Sequence, residues 1–265
     1  MAKVRDRLWL WGQDPGSHHA YNLPGVSKMS PLEGAGYLGV PNCCRVVMTG
    51  KPLPPWDQDS MALVTMKQVV WSVIGSGGSK RNDAGTGDLD EVFRQAERFP
   101  NVTGGVLDDF LGRRRDIFSP ADVAAWRDRL HAFPGRPLDL WIVLYDNQLI
   151  PAVQPYLDIC DVITFWTWKA EVIEDLEKNF DRCVAMTPGK RRLNGCYMFD
   201  YGNRKVLPVE LMRKQCELGL RWMREGRLEG LVFCSNCCAD LGMPAVEWTR
   251  KWIAEVGDEE VPDGR

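Results

Sequence analysis

Carboxylates close three of the apolar runs in this chain, and they are the residues best suited to chemistry. Asp108 and Asp109 follow TGGVL, Asp146 follows LDLWIVLY, and Asp200 follows NGCYMF. Aromatic residues recur at the same kind of position: Trp11, Tyr145, Trp166, Trp168 and Tyr201. A sugar ring has apolar C–H faces and a rim of hydroxyls. Aromatic planes cover such faces, while Asp, Asn and Gln bind the rim. Breaking a glycosidic bond takes two carboxyl groups, one as acid and one as nucleophile or base. Asp108, Asp109, Asp146 and Asp200 are therefore the catalytic candidates. Asp14, His18, His19, Lys80, Arg81 and Asn236 lie in loops after other apolar runs and join the aromatic residues as candidates for substrate binding.

Each of these residues has a plainer reading. Aspartate after a strand often caps a helix or turn. Asp146 stands directly before Asn147-Gln148 and a helix, so capping competes strongly there. The next helix start lies about ten residues beyond Asp109 and about eight beyond Asp200, which weakens the capping reading for both sites. Successive strand residues point to opposite sides, so only one of Asp108 and Asp109 is expected to face a common axis. Trp166 and Trp168 share one side of their strand and could pack under helices. Lys80-Arg81 reads equally as a solvated loop. His18-His19 could bind metal, but the only other histidine, His131, lies on a helix pattern; no metal and no cofactor is expected. The nine cysteines are odd in number, and three cluster as Cys234, Cys237 and Cys238. Cys234-x-x-Cys237 lacks a second such pair or a downstream His pair, so reduced, structural thiols are the expectation.

The elements that must position these residues repeat one pattern: apolar run, polar loop, amphipathic helix. The runs are Arg7 to Gly12, Cys44 to Thr49, Val69 to Ile74, Thr103 to Leu107, Leu138 to Tyr145, Asp161 to Thr167, Asn194 to Phe199 and Leu228 to Cys234. Helices are predicted over Pro31 to Leu38, with Ser30 and Glu33 as a capping box, and over Asp59 to Met66. Further helices open at Asp88 and Ser119-Pro120, run through Leu157, and cover Glu171 to Phe180, Val209 to Glu225 and Pro244 to Val256. Strands alternating with helices specify βαβ units and a parallel sheet. Eight such units in a chain of this length specify an α/β protein with a single (β/α)8 TIM barrel over 1–257, followed by an acidic, fraying tail at 258–265. No G-x-G-x-x-G follows the first strand, which argues against an open doubly wound sheet. In a barrel the active site forms where strands end and βα loops begin.

Composition removes other function classes. The 265 residues carry a net charge of -3, so no basic field marks the chain for nucleic acid. No apolar run has the roughly 18 residues of a membrane span, and Met1 to Leu10 has no signal-like apolar region; no membrane partner and a cytoplasmic location are expected. G-x-S-x-G, Walker and kinase signatures are absent from the sequence. The loop after the eighth run, SNCCADLG, is not a phosphate loop.

The succession TGGVLDDF, ITFWTW and CYMFDYG resembles the glycoside hydrolase-type TIM barrels across the whole chain. That resemblance implies an acid/base at the end of the fourth strand, Asp108 or Asp109, and a second carboxylate on the seventh, Asp200. Many members of that group carry Glu at these points, where this chain has Asp. The expectation is a glycoside hydrolase acting on a small saccharide. Two alternatives stand beside it. One is a sugar isomerase, epimerase or lyase, with a divalent cation on Asp108, Asp146 and Asp200 as one form. The other is a barrel that binds sugar without turnover.

Overall fold

The computed structural model describes residues 1–75 and 87–263. Eight parallel strands close into a barrel: β1 (Leu8–Gly12), β2 (Asn42–Arg45), β3 (Gln68–Ile74), β4 (Val102–Leu107), β5 (Asp139–Tyr145), β6 (Val162–Trp166), β7 (Arg191–Tyr197) and β8 (Gly230–Cys234). Closure is made by β8 against β1, with Leu231 opposite Leu8 and Cys234 opposite Trp11. The helices between and after them are α1 (Pro31–Leu38), α2 (Asp57–Ala62), α3 (Gly87–Arg98), α4 (Pro120–His131), α5 (Gln154–Ile159), α6 (Leu176–Met186), α7 (Val209–Arg224) and α8 (Pro244–Val256). The protein is a single (β/α)8 TIM barrel.

Local signals account for several of these elements. Ser30 and Glu33 make the reciprocal capping box that opens α1, and Ser119 with Asp122 repeats it at α4. The strands are buried along nearly their whole length, as required between a filled interior and a ring of helices.

The interior is filled by tryptophans. Trp9 and Trp11, two residues apart on β1, share the inward face. Trp9 meets Trp141 of the opposite strand edge-on at 4.8 Å, and Trp11 meets Trp166 at 5.2 Å. Trp166 exists in this packing only because residue 195 is glycine: a Cβ there would lie 2.0 Å from the indole. This layer forms the floor beneath the carboxyl-terminal mouth.

The second and sixth helices are displaced from their expected ranges, and two strands and the C-terminal tail differ as well. The second strand covers Asn42–Arg45 rather than Cys44 to Thr49, because Val47 N–H is taken by the Ser72 hydroxyl at 2.9 Å and Thr49 turns left-handed at φ 51°. The seventh begins at Arg191, since Arg191 is ion-paired to Asp139 (2.6 Å) and Glu229 (2.7 Å) at the strand's start, which makes a charged residue compatible with it. Phe199–Asp200 instead pairs with Lys205–Val206 as a small hairpin. The acidic tail is tied down as far as Asp263. Glu260–Val261 pairs antiparallel with Ala2–Lys3, Val261 is buried, and Asp263 meets the N-terminal amine at 3.0 Å.

Candidate active site at the barrel mouth

The end of β4 sets the site. Asp108 continues the ladder, its N–H bonding Ile74 O at 2.9 Å. Asp109 then adopts φ 49°, a left-handed conformation that a β-carbon disfavours. This kink breaks strand alternation, so both carboxylates line one cavity, contrary to the expectation that only one would. Asp108 is buried and Asp109 is exposed at the rim.

Tyrosines surround the pair. Tyr145, at the end of β5, donates its hydroxyl to Asp109 Oδ1 at 2.9 Å. Burial pushes the Tyr145 phenol well above its ordinary value, and Tyr197 and both aspartates push it the same way. Tyr197 of β7 is raised for the same leading reason, and so is Tyr21. All three therefore keep their protons and act as donors at neutral pH.

Trp168 forms one wall. Its ring stands edge-on to Tyr197 at 5.6 Å and to Tyr145 at 6.1 Å, and nearly parallel to Tyr201 at 6.2 Å. Asp146 holds the backbone of that wall by accepting Trp168 N–H at 3.1 Å. Trp11 lies at the floor. His18, buried at 3% exposure, completes the opposite side. Its Nδ1 lies 2.7 Å from Tyr201 OH and 3.2 Å from Ser235 Oγ. Burial lowers its pKa to about 3, so the ring is neutral. The cavity has a volume of about 340 Å³, at the small end of ligand sites.

Of the residues singled out in the sequence, Trp11, His18, Asp108, Asp109, Tyr145, Trp168 and Tyr201 meet in this cavity. The other described candidates do not line it. Asp200 accepts Asn203 N–H at 3.1 Å, the Asn203 side chain at 2.9 Å and Ala170 N–H at 3.4 Å; it organises the turn after β7 and does not line the cavity. Asp146 is occupied as described. The trio Asp108, Asp146 and Asp200 is thus not assembled for a cation, and the described residues contain no group of three metal-ligating side chains. Asp14 is ion-paired with buried Arg45. His19 is exposed, with Nδ1 at 3.1 Å from Gly16 O. Trp166 belongs to the floor, its Nε1 donating to Thr164 Oγ1 at 3.0 Å. Asn236 is wholly buried and clamps Gln13 and Met29. Lys80 and Arg81 lie outside the described residues. All nine cysteines are buried and unbridged.

Gln13, Tyr21, Met48, Asn147, Gln148, Tyr197 and Cys234 line the cavity without having been singled out as site candidates. Four of them stand in loops after runs one and five, where position at a strand end was the available signal. Tyr197 carries no such signal, because a seventh strand over Asn194 to Phe199 puts it mid-strand, whereas it ends β7. Met48 and Cys234 have no sequence signal distinguishing them from core residues.

No protein-family model and no curated sequence matches the chain. Solved structures match it in fold. The active domain 2 of a chitinase from Pyrococcus furiosus aligns with a TM-score of 0.60 and 11% identity, over 96% of this chain and 97% of that one. A GH99 endo-alpha-mannosidase from Bacteroides thetaiotaomicron aligns with a TM-score of 0.54 and 10% identity, covering 94% and 98%. A chain of the tryptophan synthase complex from Pyrococcus furiosus aligns at 0.50 and 11% identity, covering 97% and 99%. The chain thus shares the TIM-barrel fold of glycoside hydrolases, and that fold also carries other chemistry.

Proposed function

We propose that this protein is a glycoside hydrolase acting on a small saccharide at the mouth of its barrel. The observation that carries the reading is the convergence of Asp108 and Asp109 on one cavity walled by Trp11, Trp168, Tyr145, Tyr197 and Tyr201. The rings cover the apolar faces of a sugar, and the phenols and amides meet its hydroxyls. Asp109 sits at the rim, on the side where a leaving group departs to solvent, and Tyr145 orients its carboxyl group. It is the general acid. Asp108, deeper in the cavity, faces the sugar ring and supports the charge that develops at the anomeric carbon. Tyr145 holds Asp109 in place.

Glycosides with graded leaving groups test this assignment. General-acid assistance contributes about 10²–10⁴-fold, and it matters least for an activated aryl leaving group. Asp109→Asn should therefore lose at least about a hundredfold on alkyl glycosides and much less on nitrophenyl glycosides. Asp108→Asn should lose activity on both. Equal losses at Asp109→Asn for every leaving group would remove it from the acid role. Asp200→Ala should retain most turnover, because that carboxylate serves a turn outside the cavity.

A second reading has one observation in its favour: among the described residues, no third carboxylate lines the cavity opposite the pair. A sugar-binding barrel without turnover would bind saccharides and cleave none, and both Asp→Asn variants would then be silent in every assay except binding.

A further inference from the structure

His18 is the one basic side chain among the described residues lining the cavity, and the acid/base scheme above leaves it unused. Its environment fixes what it can do. Two hydroxyls reach His18 Nδ1, that of Tyr201 at 2.7 Å and that of Ser235 at 3.2 Å. Ser235 Oγ already accepts Cys237 N–H at 3.1 Å, and Ser235 is wholly buried.

The protons can be counted for each neutral tautomer. With the proton on Nε2, the cluster holds two donors, the Tyr201 and Ser235 hydroxyls. Tyr201 donates to Nδ1 at 2.7 Å, and the Ser235 proton alone is left with no nitrogen or oxygen acceptor among the described residues. With the proton on Nδ1, the cluster holds three donors. Nδ1–H donates to Tyr201, and the Tyr201 and Ser235 protons are both left with no nitrogen or oxygen acceptor among the described residues, one more than in the first tautomer. An unsatisfied buried donor costs about 1–3 kcal/mol, which selects the first tautomer.

The second ring nitrogen has no protein partner among the described residues, while the ring lines the cavity and is held edge-on by Tyr21 at 5.8 Å and Tyr201 at 4.8 Å. We infer that His18 is a tautomer-locked hydrogen-bond donor, with Tyr201 and Ser235 as positioning residues, that presents Nε2–H to an acceptor oxygen of the bound saccharide. It selects substrate and carries no proton in the reaction. The titratable groups packed around it are Tyr21, Tyr201 and Cys237, each shifted upward chiefly by burial and each neutral at neutral pH, so no adjacent charge draws a second proton onto the ring.

The role in recognition rests on the saccharide reading; the tautomer does not. Long-range nitrogen–proton spectra of the full-length protein with ¹⁵N-histidine test the tautomer alone. The expected pattern is a protonated Nε2 and an unprotonated Nδ1 that holds between about pH 5 and 8, where a solvated histidine would titrate. Protonated Nδ1, or titration in that window, would overturn the inference. Tyr201→Phe combined with Ser235→Ala should return the ring to a mixed tautomer state; an unchanged pattern would show that these residues do not set it.

Glucose, galactose, mannose, fucose and N-acetylglucosamine are then titrated into the same sample. At least one should shift the His18 Nε2–H resonance. His18→Leu should weaken that sugar about tenfold, the equivalent of 1.4 kcal/mol. His18→Gln, which keeps an N–H donor, should restore most of the loss. Sugar binding unaffected by His18→Leu would refute the donor role. Failure of every sugar to bind, with the tautomer as expected, would refute the saccharide reading and the recognition role together while leaving the lock supported by its own spectrum.

Discussion

Asn236→Ala tests how the floor of the site is held in place. The Asn236 side chain accepts Gln13 N–H at 2.9 Å and donates to Gln13 O at 2.9 Å and Met29 O at 2.7 Å. It thereby ties the loop after β8 to the loop after β1, across the seam where the barrel closes. Alanine removes all three bonds. Gln13 is 3% exposed, so its N–H and C=O cannot turn to water, whereas Met29 is only half-buried and can be hydrated. Two stranded buried groups at about 1–3 kcal/mol each give a loss of about 4 kcal/mol. For a chain of this size that lowers Tm by roughly 8–16 °C. Asn236→Asp should be no better, since it places a carboxylate oxygen against two carbonyls. Thermal and urea unfolding measure both, and the same variants should weaken saccharide binding because Gln13 lines the cavity. A Tm drop under about 2 °C for Asn236→Ala would refute the reasoning. It would mean that the remaining bond from Ser27 Oγ to Asn236 O, at 3.1 Å, suffices to hold the seam.

Three further outcomes are expected. Tyr145→Phe keeps the ring but removes the bond to Asp109, and kcat/KM should fall roughly 10–150-fold with stability little changed, as expected for a bond to a charged group; steady-state kinetics on the wild-type substrate checks it. Gly195→Ala should destabilise the fold by about 3 kcal/mol or more, because its Cβ would overlap the Trp166 indole in a close-packed interior; denaturant unfolding decides. Stability should also fall on acidification through His18. The unfolded imidazole takes up a proton near 6.5 and the folded one only near 3, so the unfolded state binds the extra proton as pH drops below 6.5. The contribution is complete above 6.5 and declines by ~1.4 kcal/mol per pH unit towards 3. Urea midpoints measured from pH 7 to 4 should show a shallower slope for His18→Gln than for the wild type.

The sequence by itself determined the barrel. Apolar runs alternating with capped amphipathic helices are local patterns, and eight of them admit one closed solution in which every strand is covered on both faces. It also determined the mouth as the place to look, and it marked Asp108, Asp109, Tyr145 and Trp168 there. What it could not determine was which partners each polar side chain meets once the loops are folded. Asp200 and Asp146 have the same residue type and the same strand-end position as the β4 pair. Asp200 accepts from Asn203 and Ala170, and Asp146 Oδ1 accepts from Trp168, donors that the loops after β6 and β7 supply. Asn236 is likewise held by contacts more than 200 residues away in sequence. The pairing of Asp108 with Asp109 was decided by one left-handed residue, which alternation along a strand forbids and a loop permits. Periodicity is set by neighbours in sequence and is legible there. Hydrogen-bond competition and convergence across a barrel are set by neighbours in space, and only the folded chain brings them together.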